Sequence, residues 1–238
     1  MRTAAAARVV RRARPLLGTI VEIGLVVDVV EPEASDAIAA AFASVVAVEA
    51  RLSRFAAGSE IFRFNAAPAG ERIDVGADTR HVLAAADALR QASDGLFDVS
   101  LGSGATGWRC DTTGLHKLDE GVRLDLGGIG KGYAVDRAVA ALAAAGALAG
   151  WVNAGGDLRV FGATSVPIDL RDEALGGVRR FATLADGAFA TSRLGRAGHA
   201  SVAAPECLWA DALTKVVLFS GDAKHPLLDR FGARAWLH

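Results

Sequence analysis

The sequence predicts an α+β fold, on three observations. The chain has 238 residues, enough for one large domain or two small ones around a real core. Apolar, β-branched runs are interleaved with longer segments of helical periodicity. Their order is not the strict strand–helix–strand alternation of a doubly wound sheet. Finally, although 52% of the residues are hydrophobic, much of this is alanine. No run reaches the about 18 uncharged apolar residues of a membrane span.

Taken in order, residues 1–15 are arginine-rich and are expected to be a poorly ordered tail before a domain over 16–238. Arg8, Arg11, Arg12 and Arg14 interrupt the apolar run that a secretory signal needs, and no lipid-carrying cysteine follows. The expected location is the cytoplasm. Residues 18–29 ("GTIVEIGLVVDV") are β-rich and read as a strand. Residues 32–55 carry apolar side chains at helical spacing after Ser35 and Asp36, and predict a long helix. A turn, a short helix and a loop fill 58–70. A second helix over 78–95 has Asp78 or Thr79 to cap it and Gly95 beyond its end. Residues 96–108 read as extended and loop-like, and 116–126 as one or two short strands. A third helix runs from 134 to Gly146. Residues 150–164 form a strand in which Gly155, Gly156 and Asp157 suggest a bulge or a close backbone approach. Strands follow at 166–172 and 178–192, then a helix at 208–222. The last segment, 225–238, reads as a helix with a final strand. No internal repeat or low-complexity linker is present.

The formal net charge is −1, which gives no basic surface for nucleic acid or for an anionic membrane. Cys110 and Cys207 suit a reduced compartment, and nothing calls for a bridge between them.

Chemistry gathers at "DLGGIGKGYAVD", residues 125–136. A phosphate-binding P-loop fails here: Asp125 stands where its first glycine belongs, and Gly132 replaces the final Ser or Thr. A dinucleotide fingerprint starts at Gly128 and Gly130 and is broken by Tyr133. What remains is a glycine-rich entry to a helix, with amides, a dipole and Lys131 all favouring an anion. It reads equally as a strand-to-helix turn with a surface lysine. In "WADALTKVV", Asp211, Thr214 and Lys215 share one helical face. A carboxylate and a hydroxyl there are hard-oxygen donors of the kind magnesium takes; an exposed Asp–Lys pair is the plain alternative. Asp94, Phe97 and Asp98, and Phe55, Ser59, Glu60 and Asn65, offer rings and polar groups near turns. His199 sits in a glycine-rich loop. No metalloprotease, zinc-ribbon or nucleophile-elbow motif occurs.

The order of the motifs carries more than any one of them. "LLGTIVEI", "LSRF…SEIFRFN", "DGLFDVS", "DLGGIGKGYAVDRAVAALAAAG", "WVNAGGDLRVFG", "FATS" and "SVAAPECLWADAL" follow one another as in the FAD:protein FMN transferases, the ApbE-like flavin transferases, which the chain resembles from about Leu16 to Gly221. The strongest part is 125–162. The resemblance implies mixed or antiparallel sheets with packed helices, in a single compact chain of two intimately associated subdomains. It implies magnesium-dependent transfer of FMN from FAD to a Ser or Thr hydroxyl of a flavin-acceptor protein, with release of AMP. Carried over by position, Gly130 would offer its carbonyl to the metal, with Asp211 and Thr214. Leu17, Phe55, Asn65, Leu96, Phe97, Asp98, Ile129, Lys131 and Tyr133 would lie at the FAD, and His199 would assist the transfer.

The chain also departs from the family pattern. The metal-binding threonine belongs four residues after the aspartate, where Lys215 stands, and Thr214 comes one position early. A His/Asp-Pro segment after "ATS" is missing, and Arg193 replaces a glycine. A flavin-binding protein without transferase activity and an FAD pyrophosphatase are the alternatives these departures raise.

Overall fold

A computed structural model describes residues 8–27, 31–171, 176–193 and 198–238. The first strand, β1 (Arg8–Leu16), pairs antiparallel with β2 (Thr19–Val27). The expected tail is therefore strand from Arg8 onward, because nine consecutive residues find partners on β2. Residues 1–7 of that tail, and the end of the expected first strand at 28–29, lie outside the described residues. The β1–β2 turn is only Leu17 and Gly18, with φ of +56° and +68°. Such two-residue turns match the twist of the flanking strands. A leucine in left-handed backbone is costly, and the Leu17 N–H donates to Glu49 Oε1 at 3.1 Å to hold it.

Glu49 belongs to α1 (Glu31–Leu52), which begins four residues before the expected start at Ser35. Then come α2 (Glu60–Ala66), capped by the Ser59 hydroxyl on the Phe62 N–H, β3 (Arg72–Ile73) and α3 (Ala77–Ala92). The cap position of α3 is Gly76, so neither Asp78 nor Thr79 caps it. The expected loop over 96–108 gives way to β4 (Trp108–Asp111) at its last residue, followed by β5 (Gly114–Lys117), and these two with β3 form a small antiparallel sheet. After Lys117 no strand continues to 126.

The glycine motif is itself helix. α4 (Gly130–Ala144) starts at Gly130, four residues earlier than expected. β6 (Gly150–Ala154) and β7 (Asp157–Arg171) follow. Gly155 and Gly156 do not bulge a strand; at φ +63° and +104° they turn one strand into the next, with Ala154 paired to Asp157. β7 absorbs the separate strand expected at 166–172 and pairs with β8 (Val178–Arg193). The remainder is β9 (His199–Ala204), α5 (Cys207–Ser220), α6 (Leu227–Arg230) and β10 (Arg234–Leu237).

The large sheet runs β1-β2-β6-β7-β8-β9-β10, every pairing antiparallel. Period-two alternation gives it two faces. Val152, Ala188 and Ala190 enter the main core with Ile38, Phe42 and Val45 of α1, Val135 and Leu142 of α4, and Val216 and Val217 of α5. Trp151, Val160 and Phe189 form a second cluster on the opposite face. Trp108 and Leu115 of the small sheet share the main core, so both sheets close on one interior. No helix among the described residues is long and apolar enough to cross a membrane.

Candidate active site

A cavity of about 430 Å³ opens where the β1–β2 turn, the C-terminal end of α1 and the segment leading into α4 meet. Leu17, Glu49, Arg54, Phe55, Asp125 and Lys131 are on its wall. Phe55 is 76% exposed, an apolar ring presented to solvent. The Arg54 guanidinium lies 4.4 Å over that ring and pairs with Asp125 at 3.1 Å. The Asp125 carboxylate also accepts the Gly127 N–H at 2.8 Å, which fixes the loop.

Lys131 links this cavity to a buried charge cluster. Its ammonium donates to Asp157 Oδ2 and stands 3.8 Å from Asp211 Oδ2. Asp157 is 1% exposed and Asp211 0%. On the other side of Asp211, Lys215 donates to Oδ1 and, at 3.0 Å, to the Asp211 backbone carbonyl. Two lysines thus answer two carboxylates, as burial demands. Burial pulls the Lys131 ammonium down, but Asp211 and Asp157 outweigh it and hold it above the ordinary lysine range. Burial works against the Asp211 carboxylate too, yet Lys215 and Lys131 keep it below the usual aspartate range. Asp157 is pushed up to about 7 by burial and by Asp211, against the pull of the two lysines.

The geometry depends on how closely α4 and α5 approach. A Cβ on Gly132 would meet the Cys207 carbonyl oxygen at 2.2 Å and Asp211 Cβ at 2.9 Å. The Gly132 N–H donates to Asp211 Oδ2 at 3.2 Å, a contact that only glycine allows here. Next along α4, Asp136 accepts the Cys207 and Leu208 N–H groups at 3.0 and 2.8 Å, and so caps α5 from a neighbouring helix. Arg159 pairs with the same carboxylate. The buried Cys207 thiol is pushed well above its ordinary range by burial and three nearby carboxylates.

The other expected residues divide clearly. Leu17, Phe55, Gly130 and Lys131 are brought together at the cavity. Asn65 is spent on structure: its Nδ2 donates to the Leu124 carbonyl at 2.9 Å and its Oδ1 accepts the Leu124 N–H at 2.7 Å. Asp98 holds the turn of Ser100 and Gly102. Ile129 is fully buried before α4, and Phe97 is buried within 3.7 Å of where a Gly128 Cβ would stand. Leu96 packs against the core from its edge. Tyr133 points to α3, donating to Asp78 Oδ1 at 2.6 Å and stacking on His81. His199 is on the wall of a second cavity, about 310 Å³, with Asn153, Gly155, Gly156 and Thr191. Of the loop before it, residues 194–197 lie outside the described residues. The anion-binding amides expected at the entry to α4 are largely engaged: Gly130 N–H donates to the Leu126 carbonyl and Gly132 N–H to Asp211.

The expected magnesium donors do not fit that ion as they stand. Magnesium asks for near-octahedral oxygen donors. Asp211 Oδ1 is held by Lys215, while Oδ2 is held by Gly132 and faces Lys131. The Thr214 hydroxyl is turned to the Asp211 carbonyl at 2.6 Å and Ser192 Oγ at 2.8 Å. Among the described residues, no three His, Cys, Asp or Glu side chains gather in a metal-holding group.

Sequence reasoning missed Arg54, Glu49 and the capping role of Asp136. The signal for Asp136 was present: an acid closes the glycine motif one helical turn beyond Gly132.

The model of the ApbE family matches residues 17–117 and 108–196, most of the chain. The chain belongs to the ApbE family. Solved ApbE structures share its fold at low identity. The ApbE protein from Thermotoga maritima has a TM-score of 0.83 at 22% identity, covering 97% of this chain and 94% of that one. The flavin transferase ApbE from Vibrio cholerae gives 0.83 at 18%, covering 98% and 94%. The flavinyl transferase ApbE from Pseudomonas stutzeri, in its apo form, gives 0.81 at 20%, covering 97% and 91%. No curated protein sequence matches the chain. The α+β architecture with antiparallel sheets is thus that of the ApbE fold.

Proposed function

We propose that this ApbE-family protein transfers FMN from FAD to a Ser or Thr hydroxyl of a flavin-acceptor protein, releasing AMP. The observation that carries the reading is the cavity whose apolar wall, Leu17 and Phe55, leads to Lys131. A flat ring system suits the first and a pyrophosphate the second. In the transfer, the hydroxyl oxygen bonds to the FMN phosphorus and the phosphorus–oxygen bond to the AMP phosphate breaks. The hydroxyl proton passes to a base, for which His199, on the wall of the second cavity, is the candidate. Lys131 lowers the cost of charge gathering on the phosphates, and Asn65 and Asp125 keep the loop beneath them in place. Family members are expected to use magnesium, but in this chain the donors Asp211 and Thr214 are engaged with Lys215 and Ser192.

The test is incubation with FAD and a partner carrying an acceptor Ser or Thr, followed by denaturation. Covalent flavin on the partner, with AMP released in equal amount, is the expected result. AMP without labelled partner assigns the protein to FAD hydrolysis instead. FAD binding with neither product assigns it to flavin binding alone.

A further inference from the structure

Asp211 is completely buried and needs a counter-ion. In this chain the counter-ion is covalently attached, four residues further along the same helix. The Lys215 ammonium bridges Asp211 Oδ1 and the Asp211 carbonyl, and so occupies an oxygen of the carboxylate expected to hold a metal. The lysine is not loosely placed. Its stem runs under the glycine loop, where a Cβ on Gly128 would come within 3.2 Å of Lys215 Cε, and its side chain is 21% exposed. Thr214, the remaining hydroxyl on that face, bonds away from the carboxylate oxygens. A divalent ion entering here would have to displace one ammonium and sit beside a second, that of Lys131.

We propose that the Lys215 ammonium is the resident cation of this site in place of a divalent metal, and that with Lys131 it neutralises the pyrophosphate, so that FAD binds without metal. The first half stands on the ion-pair geometry alone; the second rests on the FAD reading above. Loop amides cannot replace the lysines, since those of Gly130 and Gly132 are already engaged.

The experiment compares wild-type protein with Lys215→Thr and Lys215→Gln. The threonine frees Asp211 Oδ1 and adds a hydroxyl on the same face; the glutamine keeps length and donors without charge. Lys131 still pairs with Asp211 in either variant. In the first arm, without flavin, melting temperature is followed against Mg²⁺ or Mn²⁺. Wild type is expected not to move, and Lys215→Thr to be stabilised in proportion to metal occupancy. In the second arm, FAD is titrated by flavin fluorescence in chelator and in Mg²⁺. Wild-type affinity should agree within about twofold between the two conditions, while both variants weaken by about tenfold or more in chelator. Only Lys215→Thr should recover with Mg²⁺. Metal stabilisation of wild type, Mg²⁺-dependent FAD binding by wild type, or undiminished binding by Lys215→Gln in chelator would each overturn the proposal. If Lys215→Thr fails to fold, Lys215→Gln and the wild-type metal titration still decide it. If FAD binds under no condition, the proposed function and the pyrophosphate half fall together, and the melting arm rules on the resident cation separately.

Discussion

At the scale of single residues, two side-chain positions set opposite limits. Gly132 has no room for a methyl group: its virtual Cβ falls 2.2 Å from a carbonyl oxygen. Alanine would gain at most about 1 kcal/mol of helix propensity, whereas overpacking against backbone costs about 1–3 kcal/mol or more. Gly132→Ala is therefore expected to be destabilising by about 2 kcal/mol, lowering the thermal midpoint by about 4–8 °C. It should also weaken FAD binding, because α5 carries Asp211 and Lys215 away as it shifts. A variant that melts with the wild type would show that the helices tolerate separation. Lys117 is the converse case, a wholly buried lysine whose ammonium, among the described residues, reaches the Phe64 and Asn65 carbonyls, at 3.4 and 3.3 Å, and the Phe64 ring. Burial depresses its ordinary basicity. The unfolded chain thus binds this proton more readily than the folded one, and folding carries a penalty at neutral pH that fades as pH rises toward the normal lysine value near about 10.4. Lys117→Met should raise stability at pH 7 by about 1 kcal/mol, with the gap to wild type narrowing by pH 10. Denaturant titrations at both pH values measure this, and a constant gap would count against the explanation.

At the scale of elements, α5 depends on α4 for its beginning. Its own N-cap residue, Glu206, makes no side-chain bond to the helix, and Asp136 supplies both acceptors instead. Asp136→Ala would leave two amides and the half-buried Arg159 without their partner. The expected loss is about 2–4 kcal/mol, against about half that for Asp136→Asn, which keeps one acceptor. The comparison is read from chemical-denaturation midpoints, and equal losses would point to the Arg159 pair rather than the cap. This is also where the limits of legibility lie. Helices α1 and α3 and strand β2 were readable because their periodicity is local. The boundary of α4 was not, since glycines that usually break helices here begin one, held by α5 packing tightly against Gly132. The pair Gly155–Gly156 carried a true signal of unusual backbone, but a bulge and a hairpin turn ask for the same residues. Strand β1 was hidden because arginines on an exposed edge strand look like a tail. Lys131, Asp211 and Lys215 were visible as a group of charges. That Lys215 closes on Asp211 while Thr214 turns to Ser192 required coordinates, because the two neighbours differ by only one step of helix rotation.

At the scale of the whole molecule, among the described residues, one large sheet, one small sheet and four long helices (α1, α3, α4 and α5) share the main core, and the cavity lies where the β1–β2 turn, the end of α1 and the entry to α4 leave a gap. Phe55 presents its ring to solvent at the wall of that cavity. Phe55→Ala should cost little stability but weaken FAD binding by about 1–2 kcal/mol if the ring stacks on the flavin, which calorimetry with FAD and with AMP would separate. An equal loss for AMP would place the ring at the other end of the ligand. The paired character of the site has a kinetic consequence. Lys131 and Lys215 cancel Asp157 and Asp211, Arg54 cancels Asp125, and the chain as a whole carries a formal charge of −1. Sites that attract ligands through their electric field lose association rate steeply as salt is added. Here the rate of FAD capture in stopped-flow mixing should change by less than about threefold between low and high ionic strength. Salt should instead act on escape, because pairs opened by the ligand re-form as it leaves. Residence time, rather than encounter, would then be what the ionic medium regulates.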